Sequence, residues 1–209
     1  MLSTRNLSIR YDQENVITFP DIDVSQKDAF LIHGPSGCGK TTLLHILAGL
    51  IKPLTGNVNI FNQDITNLRS SHLDLFRGAH IGICLQRPIF IQSLSVLENL
   101  ILAQELIGHK KNINVIYDQL SQLQLNNKAH QKTYSLSQGE QQRLMFARAL
   151  INNPKLILAD EPTSALDDTN TNIIIELLKN QCKVHHAALV IVSHDERLFS
   201  KFQNKIRLK

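Results

Sequence analysis

One stretch constrains this chain more than any other: Gly34-Pro35-Ser36-Gly37-Cys38-Gly39-Lys40-Thr41-Thr42. Before it runs Ala29-Phe30-Leu31-Ile32, patterned as a buried strand, and after it Leu43-Leu44-His45-Ile46-Leu47 reads as the start of a helix. Strand, glycine-rich turn, Lys-Thr pair and helix start, in that order, are the context that makes G-x-x-x-x-G-K-S/T a phosphate-binding loop. Gly34, Gly37 and Gly39 permit the tight, partly left-handed path that turns successive backbone N–H groups inward, and the helix beginning near Lys40 adds its unpaired amides and positive dipole end. The run from Gly34 through Pro35, Ser36 and Cys38 to Thr42 is therefore expected to hold a nucleoside triphosphate. Lys40 would neutralise the β- and γ-phosphates, and the Thr41 hydroxyl would ligate Mg²⁺. The loop alone leaves the reaction open, because kinases, GTPases and motor ATPases share it.

A chain of 209 residues has room for one large or two small packed units, and 43% hydrophobic residues suffice for a core. Lys+Arg 22 against Asp+Glu 18 leaves +4, spread without a basic block. That balance fits an anionic small ligand and is too mild for a nucleic-acid groove, so no nucleic-acid partner is expected. Cys38, Cys84 and Cys182 are too few and too far apart for a disulfide framework or a zinc cluster, which points to a reducing, cytoplasmic setting. The start, Met1-Leu2-Ser3-Thr4-Arg5, lacks a signal peptide's apolar core, and no run approaches the roughly 18 apolar residues of a membrane span. Any membrane role is expected to come through a partner.

Along the chain, Leu2 to Ile9 alternates as a strand, and Val16-Ile17-Thr18-Phe19 and Ile22-Asp23-Val24 read as further short strands, suggesting a small antiparallel sheet at the N-terminus. Tyr11, at the end of the first strand, offers an aromatic face for an adenine ring. Ile51-Lys52-Pro53 stops the helix after the phosphate loop, and Thr55-Gly56 leads into a strand from Asn57 to Phe61. The polar stretch from Gln63 to Phe76 predicts a loop with a short helix. Ile81-Gly82-Ile83-Cys84-Leu85 then predicts an apolar strand that delivers Gln86 at its C-terminal end, where open α/β sheets place ligand-binding side chains. From Ser93 to about Gln124 the apolar spacing is helical. Between them, Pro88 followed by Ile89, Phe90 and Ile91 puts an apolar stretch where a loop should be polar. At least Phe90 and Ile91 are expected to line a groove able to take a short helix.

Two further features carry chemistry. Ser137, with Glu140 three residues on, forms a capping box that points a helix N-terminus outward, an end able to bind phosphate. Leu156-Ile157-Leu158-Ala159 is a buried-type strand ending in Asp160-Glu161, and Ala188-Leu189-Val190-Ile191-Val192 is another ending in Ser193-His194-Asp195. Parallel strands would deliver these polar residues to one edge, facing the phosphate loop. Asp160 can then hold Mg²⁺ through water, while Glu161 orients and polarises the attacking water. His194 can hydrogen-bond the γ-phosphate, and Gln86 can sense metal and water.

The set Gly34 to Thr42, Gln86, Leu136-Ser137-Gln138-Gly139-Glu140, Asp160-Glu161-Pro162-Thr163, Ser164-Ala165-Leu166-Asp167 and His194 resembles, in order and spacing, the ATP-binding cassette (ABC) ATPases, over nearly the whole chain. Its most specific part is the Leu-Ser-x-Gly signature upstream of the Asp-Glu strand end, because other phosphate-loop enzymes have no such element. The resemblance implies a head-to-tail homodimer formed on ATP binding, in which Ser137, Gln138, Gly139 and Glu140 of one subunit cap the γ-phosphate held by Lys40 of the other. It also implies that Tyr11 stacks on adenine, that Asp167 communicates across the interface, and that the loop after Gln86 receives a helix from an integral membrane permease subunit. The protein would then sit peripherally on the inner face of the cell membrane. Gln138 stands where glycine is commoner in the family, and Glu140 where glutamine is.

Within that family, Gln63-Asp64-Ile65-Thr66-Asn67-Leu68, Leu75-Phe76-Arg77-Gly78-Ala79-His80-Ile81-Gly82-Ile83 and Leu97-Glu98-Asn99 look like the lipoprotein-release and macrolide-export class, which includes a cell-division ATPase acting on cell-wall remodelling. The phosphate loop is equally at home in importer ATPases, and no added regulatory domain is expected. A nucleotide or metabolite kinase is compatible with the length and the loop, but the signature and Glu161 argue against it. A soluble ABC protein of ribosomes or DNA would carry two cassettes or a coiled-coil insertion, and no sustained heptads occur here. The expected fold is α/β: a phosphate-loop, RecA-like core with a parallel sheet (residues 1–86 and 155–209), an N-terminal antiparallel β-subdomain, and an inserted α-helical subdomain (residues 87–154).

Overall fold

The structure is a computed structural model and describes residues 1–10, 15–164 and 166–209. The elements run β1 (Leu2–Arg10), β2 (Val16–Thr18), β3 (Asp23–Val24), β4 (Ala29–His33), α1 (Lys40–Leu47), β5 (Thr55–Ile60), β6 (Gln63–Asp64), α2 (Ser70–His80), β7 (Ile81–Cys84), α3 (Val96–Glu105), α4 (Ile113–Gln122), α5 (Gln138–Leu150), β8 (Leu156–Asp160), α6 (Asp168–Val184), β9 (Ala188–Ser193) and β10 (Asn204–Arg207). They build two sheets. The N-terminal one is antiparallel, ordered β2-β1-β5-β6, with β3 also paired to β1. A register shift between Arg5 and Ser8, with Asn6 left-handed at φ 52, lets β1 bury Leu2 and Thr4 before the shift and Leu7 and Ile9 after it.

The second sheet is parallel throughout, in the order β10-β4-β9-β8-β7. Every residue of β8 and β9 is buried, the result of near-continuous apolar runs that must be covered on both faces. Alternation decides which face each side chain serves. Ile32, Leu158, Val190 and Val192 join Leu43, Leu44 and Leu47 of α1 and Leu7, Val58 and Ile60 of the antiparallel sheet in one core. Leu31, Ile157, Leu189 and Ile191 join Phe146 of α5 and Ile175 and Leu178 of α6 in a second. Residues Leu144, Ala147 and Ile151, on the other side of α5, meet Val96, Leu100, Ile116 and Leu120 of α3 and α4 in a third. Helix α5 thus holds the three-helix cluster against the parallel sheet.

Three segments differ from the sequence reading. The helical stretch from Ser93 splits: α3 ends before Gly108, left-handed at φ 77, which terminates the helix as a glycine after the last turn does. The polar region after Gln63 contains a helix that runs on to His80, directly into β7. The loop after Gln86 also departs from expectation. Phe90 is half-buried, packs against the second and third clusters and lies 5.1 Å from the Arg148 guanidinium, so it points inward; Ile89 and Ile91 stay exposed. Asn99, itself buried, fixes this loop by accepting from the Ile91 N–H at 3.1 Å and donating to the Ser95 carbonyl at 2.9 Å.

Candidate active site

The C-terminal ends of β4, β8 and β9 open on a cleft of about 580 Å³. The turn between β4 and α1 forms one wall, and its path depends on glycine. Gly39, which precedes α1, has φ 90, and a methyl group on Gly34 would lie 2.7 Å from the Leu208 carbonyl oxygen. Lys40 is buried to 7% exposure, and its ammonium donates to the carbonyls of Gly34 (3.0 Å) and Pro35 (2.8 Å). Its positive charge is therefore held within the loop rather than sweeping through solvent. Cys38 turns away from the cleft and packs against the first core.

Opposite the loop, the Thr41 hydroxyl donates to Asp160 Oδ1 at 3.2 Å. Burial raises the Asp160 pKa above the ordinary carboxylate value; the Thr41 bond opposes that rise, and the neighbouring Glu161 charge adds to it. A buried carboxylate beside a hydroxyl is a pair of hard oxygen donors, and a divalent cation would offset the burial of the Asp160 charge and its repulsion from Glu161, so these residues fit Mg²⁺. Glu161 follows with φ 45, its N–H bonded to the Val192 carbonyl at 2.9 Å. That backbone twist aims the side chain across β9. Its Oε2 accepts from the Ser193 hydroxyl (2.8 Å), and its Oε1 accepts from the His194 N–H (3.0 Å) and pairs with His194 Nδ1 (2.7 Å). Glu161 is 8% exposed, whereas His194 is exposed, leaving the far side of the imidazole toward the cleft.

Ser36, Gly37, Gly39, Lys40, Thr41, Thr42, Gln86, Glu161 and His194 are thus gathered around one space, with Asn15 and Ile17 on its rim. Tyr11, the expected adenine platform, lies outside the described residues. Ser137, Gln138, Gly139 and Glu140 do not line this cleft, and neither does Asp167. Ser137 caps α5: its hydroxyl accepts from the Glu140 N–H (3.3 Å), and Glu140 accepts from the Ser137 N–H (2.8 Å). Lys128 pairs with the same carboxylate at 3.1 Å. The Ser137 backbone bond, then Lys128, hold the Glu140 pKa below the usual value. Gly139 has room for a methyl group, whose nearest neighbour would be Arg143 at 3.6 Å, so the chain's own fold does not require a glycine there.

The family model for ABC transporters matches residues 20–164. The chain belongs to the ABC transporter family. As an ABC ATPase it is the ATP-binding subunit of a transporter. The lipoprotein-releasing system ATP-binding protein LolD of Rickettsia bellii (strain RML369-C) is 35% identical over 215 residues, covering 100% of this chain and 95% of that protein. LolD of Wigglesworthia glossinidia brevipalpis is 34% identical over 216 residues, covering 100% and 94%. Two dimeric structures of the ATP-binding cassette MJ0796, one in a post-hydrolysis state with ADP and Pi, superpose with a TM-score of 0.90 at 32% identity, covering 100% of this chain and 94% of that one. Among the described residues of this ABC ATPase, no helix is long and apolar enough to cross a membrane.

Sequence reasoning placed Ser193 and Asp195 at the strand end but gave them no role, and it passed over Arg197. The run Ser193-His194-Asp195 at a strand end was a usable signal for the first two, since polar residues at that edge meet the cleft. Arg197 carried no such mark, because its contacts with Leu166 and Asp168 are remote in sequence.

Proposed function

We propose that this ABC ATPase drives lipoprotein release through a separate membrane subunit, hydrolysing ATP in the cleft between the phosphate loop and Glu161. The 35% identity to LolD over the full chain supports the substrate class. The observation that carries the mechanism is the Glu161–His194 contact at 2.7 Å, in the same cleft as Lys40 and Thr41. Backbone amides from Gly34 to Thr42 and the Lys40 ammonium bind the phosphates. Thr41, Asp160 and Gln86 would hold Mg²⁺, which when bound supplies charge neutralisation between the phosphates. Glu161 accepts a proton from, and orients, the attacking water; His194 keeps that carboxylate in place and presents its other nitrogen to the γ-phosphate. Tyr11 offers its ring to adenine.

On this reading two copies assemble head to tail on ATP, with Ser137, Gln138, Gly139 and Glu140 of each closing the other's site and Asp167 at the contact. Gly139, unneeded by its own fold, suits a close backbone approach to phosphate. Residues 1–86 and 155–209 form the ATPase core and residues 87–154 the helical part. Between them lies an apolar cleft of about 500 Å³ lined by Leu50, Leu75, Leu85, Leu106 and Ile107, with Leu106 70% exposed. We assign it, rather than Phe90, to a short helix of the membrane subunit, which would hold the protein on the inner face of the membrane. The test is Glu161→Gln: turnover should fall by about 10²–10⁴-fold, the usual effect of losing a general base. The same variant should dimerise in ATP and Mg²⁺ and separate when ATP is withdrawn. Near-normal turnover, or a monomer by light scattering at saturating ATP, contradicts the reading.

A further inference from the structure

Arg197 is the middle residue of a single 3₁₀ turn, Glu196–Leu198, after β9, where its guanidinium touches two parts of the chain at once. Nε and one terminal nitrogen grip Asp195 in a two-point fork, at 2.8 Å to Oδ1 and 2.7 Å to Oδ2. The other terminal nitrogen donates to Asp168 Oδ1 at 2.7 Å and to the Leu166 carbonyl at 3.2 Å. Leu166 and Asp168 flank Asp167. Asp195, in turn, accepts from the Thr163 hydroxyl at 2.8 Å, and its N–H donates to Ser193 Oγ at 3.1 Å. Ser193 Oγ is the atom that donates to Glu161 Oε2 at 2.8 Å.

We propose that Arg197 is a positioning residue for hydrolysis: it ties the segment around Asp167 to the strand end that orients Glu161, so that engagement of the partner is felt at the attacking water. The proposal rests on the reading of Glu161 and Asp167 given above and adds to it a physical route between them. Stability does not explain the arrangement. Arg197 and Asp168 are 36% and 84% exposed, and an ion pair so open to water contributes little to folding; the Asp195 carboxylate, 10% exposed, is where Arg197 adds to stability, so folding accounts for the fork but not for the reach to Asp168. What a planar fork supplies is direction: two parallel bonds fix Asp195 in angle as well as distance, leaving a third donor to fix the Leu166–Asp168 backbone relative to it. A shift of the Asp167 segment must then move Arg197, Asp195 and the Ser193 hydroxyl together. Lysine, a single point donor, cannot hold both sides.

The experiment uses the full chain in four forms: wild type, Arg197→Ala, Arg197→Lys and Asp168→Ala. Each is compared for kcat, KM for ATP and melting temperature. For Arg197→Ala, kcat should fall by about 10- to 100-fold, as expected of a displaced catalytic group, with KM within about 2-fold of wild type. Arg197→Lys should not restore kcat, and Asp168→Ala, at an exposed site that cannot unfold the protein, should lower it in the same direction by less. The melting temperature should stay close to wild type in Asp168→Ala and fall by several degrees in Arg197→Ala, which leaves the Asp195 carboxylate short of its partner, so kcat is compared at a temperature where every form is folded. The proposal is overturned if kcat is unchanged in Arg197→Ala or Asp168→Ala, or if activity falls only in step with the folded fraction. It is also overturned if Arg197→Lys behaves as wild type. Glu161→Gln, run alongside, separates the two levels. Retained turnover there fails the underlying reading. Its loss, with full activity in the Arg197 variants, fails the coupling alone.

Discussion

Glu161→Ala and Glu161→Gln should both stop hydrolysis, yet differ in stability for a reason the hydrogen bonds make explicit. In the wild type the Glu161 carboxylate accepts from the Ser193 hydroxyl, the His194 N–H and the His194 ring. Glutamine can keep its carbonyl oxygen where Oε1 lies and so retain both His194 contacts. Its amide N–H₂ then faces Ser193, whose hydroxyl can rotate to accept it while still accepting from the Asp195 N–H. Only the Ser193 O–H, turned away from Glu161 by this rotation, is then left without an acceptor. Alanine removes every acceptor at once, so the hydroxyl of Ser193, a residue 0% exposed, and the His194 N–H both lose their partners, one donor more than in the glutamine variant. Leaving a buried donor unsatisfied costs about 1–3 kcal/mol, which for a domain of this size lowers the melting temperature by roughly 2–10 °C. Differential scanning fluorimetry without nucleotide is the assay. Equal melting temperatures for the two variants would show that Glu161 is not held as described, and the same result would undercut its orienting role.

Other expectations follow from the same geometry. Lys40→Ala should weaken ATP binding itself, by at least about 10-fold as for loss of a charge-assisted contact, and unchanged affinity by calorimetry would contradict the phosphate-loop assignment. Leu106→Glu should leave folding and the ATPase of the isolated protein intact, since surface changes usually stay within about 0.5 kcal/mol, while abolishing co-purification with the membrane subunit. Phe90→Glu should instead lower the melting temperature, because it places a charge between two cores; an unaltered melting curve would refute that. Burial holds the imidazoles of His33, His80 and His185 below their ordinary pKa, with Arg207 and Lys205 adding for the first and Lys155 for the others. The unfolded chain therefore takes up protons first as pH falls through about 6.5, and stability should drop from there downward. A double His80→Asn, His185→Asn variant should flatten that drop; an unchanged slope between pH 7 and 5 would locate the effect elsewhere.

Much of this was legible in the sequence wherever one local pattern forces one outcome. The run from Gly34 to Thr42 can take few other shapes between a buried strand and a helix, and the apolar runs before Asp160 and Ser193 require a sheet covered on both faces. The capping box at Ser137 is likewise a local affair. What escaped depends on contacts between distant segments. The left-handed backbone at Glu161, rare for a side-chain-bearing residue, arises because its N–H bonds β9 and its carboxylate must reach Ser193 and His194. Phe90 reads as a surface anchor from its neighbours Ile89 and Ile91, yet the Arg148 guanidinium and two cores draw it inward. The other terminal nitrogen of Arg197 reaches Leu166 and Asp168, some thirty positions away, which no spacing rule addresses.

The place of β10 has a consequence for the newborn chain. This strand lies beside β4, with Ile206 opposite Ile32, and the Leu208 N–H bonds the His33 carbonyl at 2.8 Å. The strand that launches the phosphate loop therefore has one bare edge until residues 204–208 have left the ribosome. Its other neighbour, β9, is made only shortly before. During translation the N-terminal antiparallel sheet and α1 can gather early, but the loop between β4 and α1 cannot be braced against Leu208 until that residue is made. ATP, which would otherwise stabilise whatever binds it, is no help to the growing chain over that interval. The phosphate loop thus acquires its working shape only after a strand made long after it.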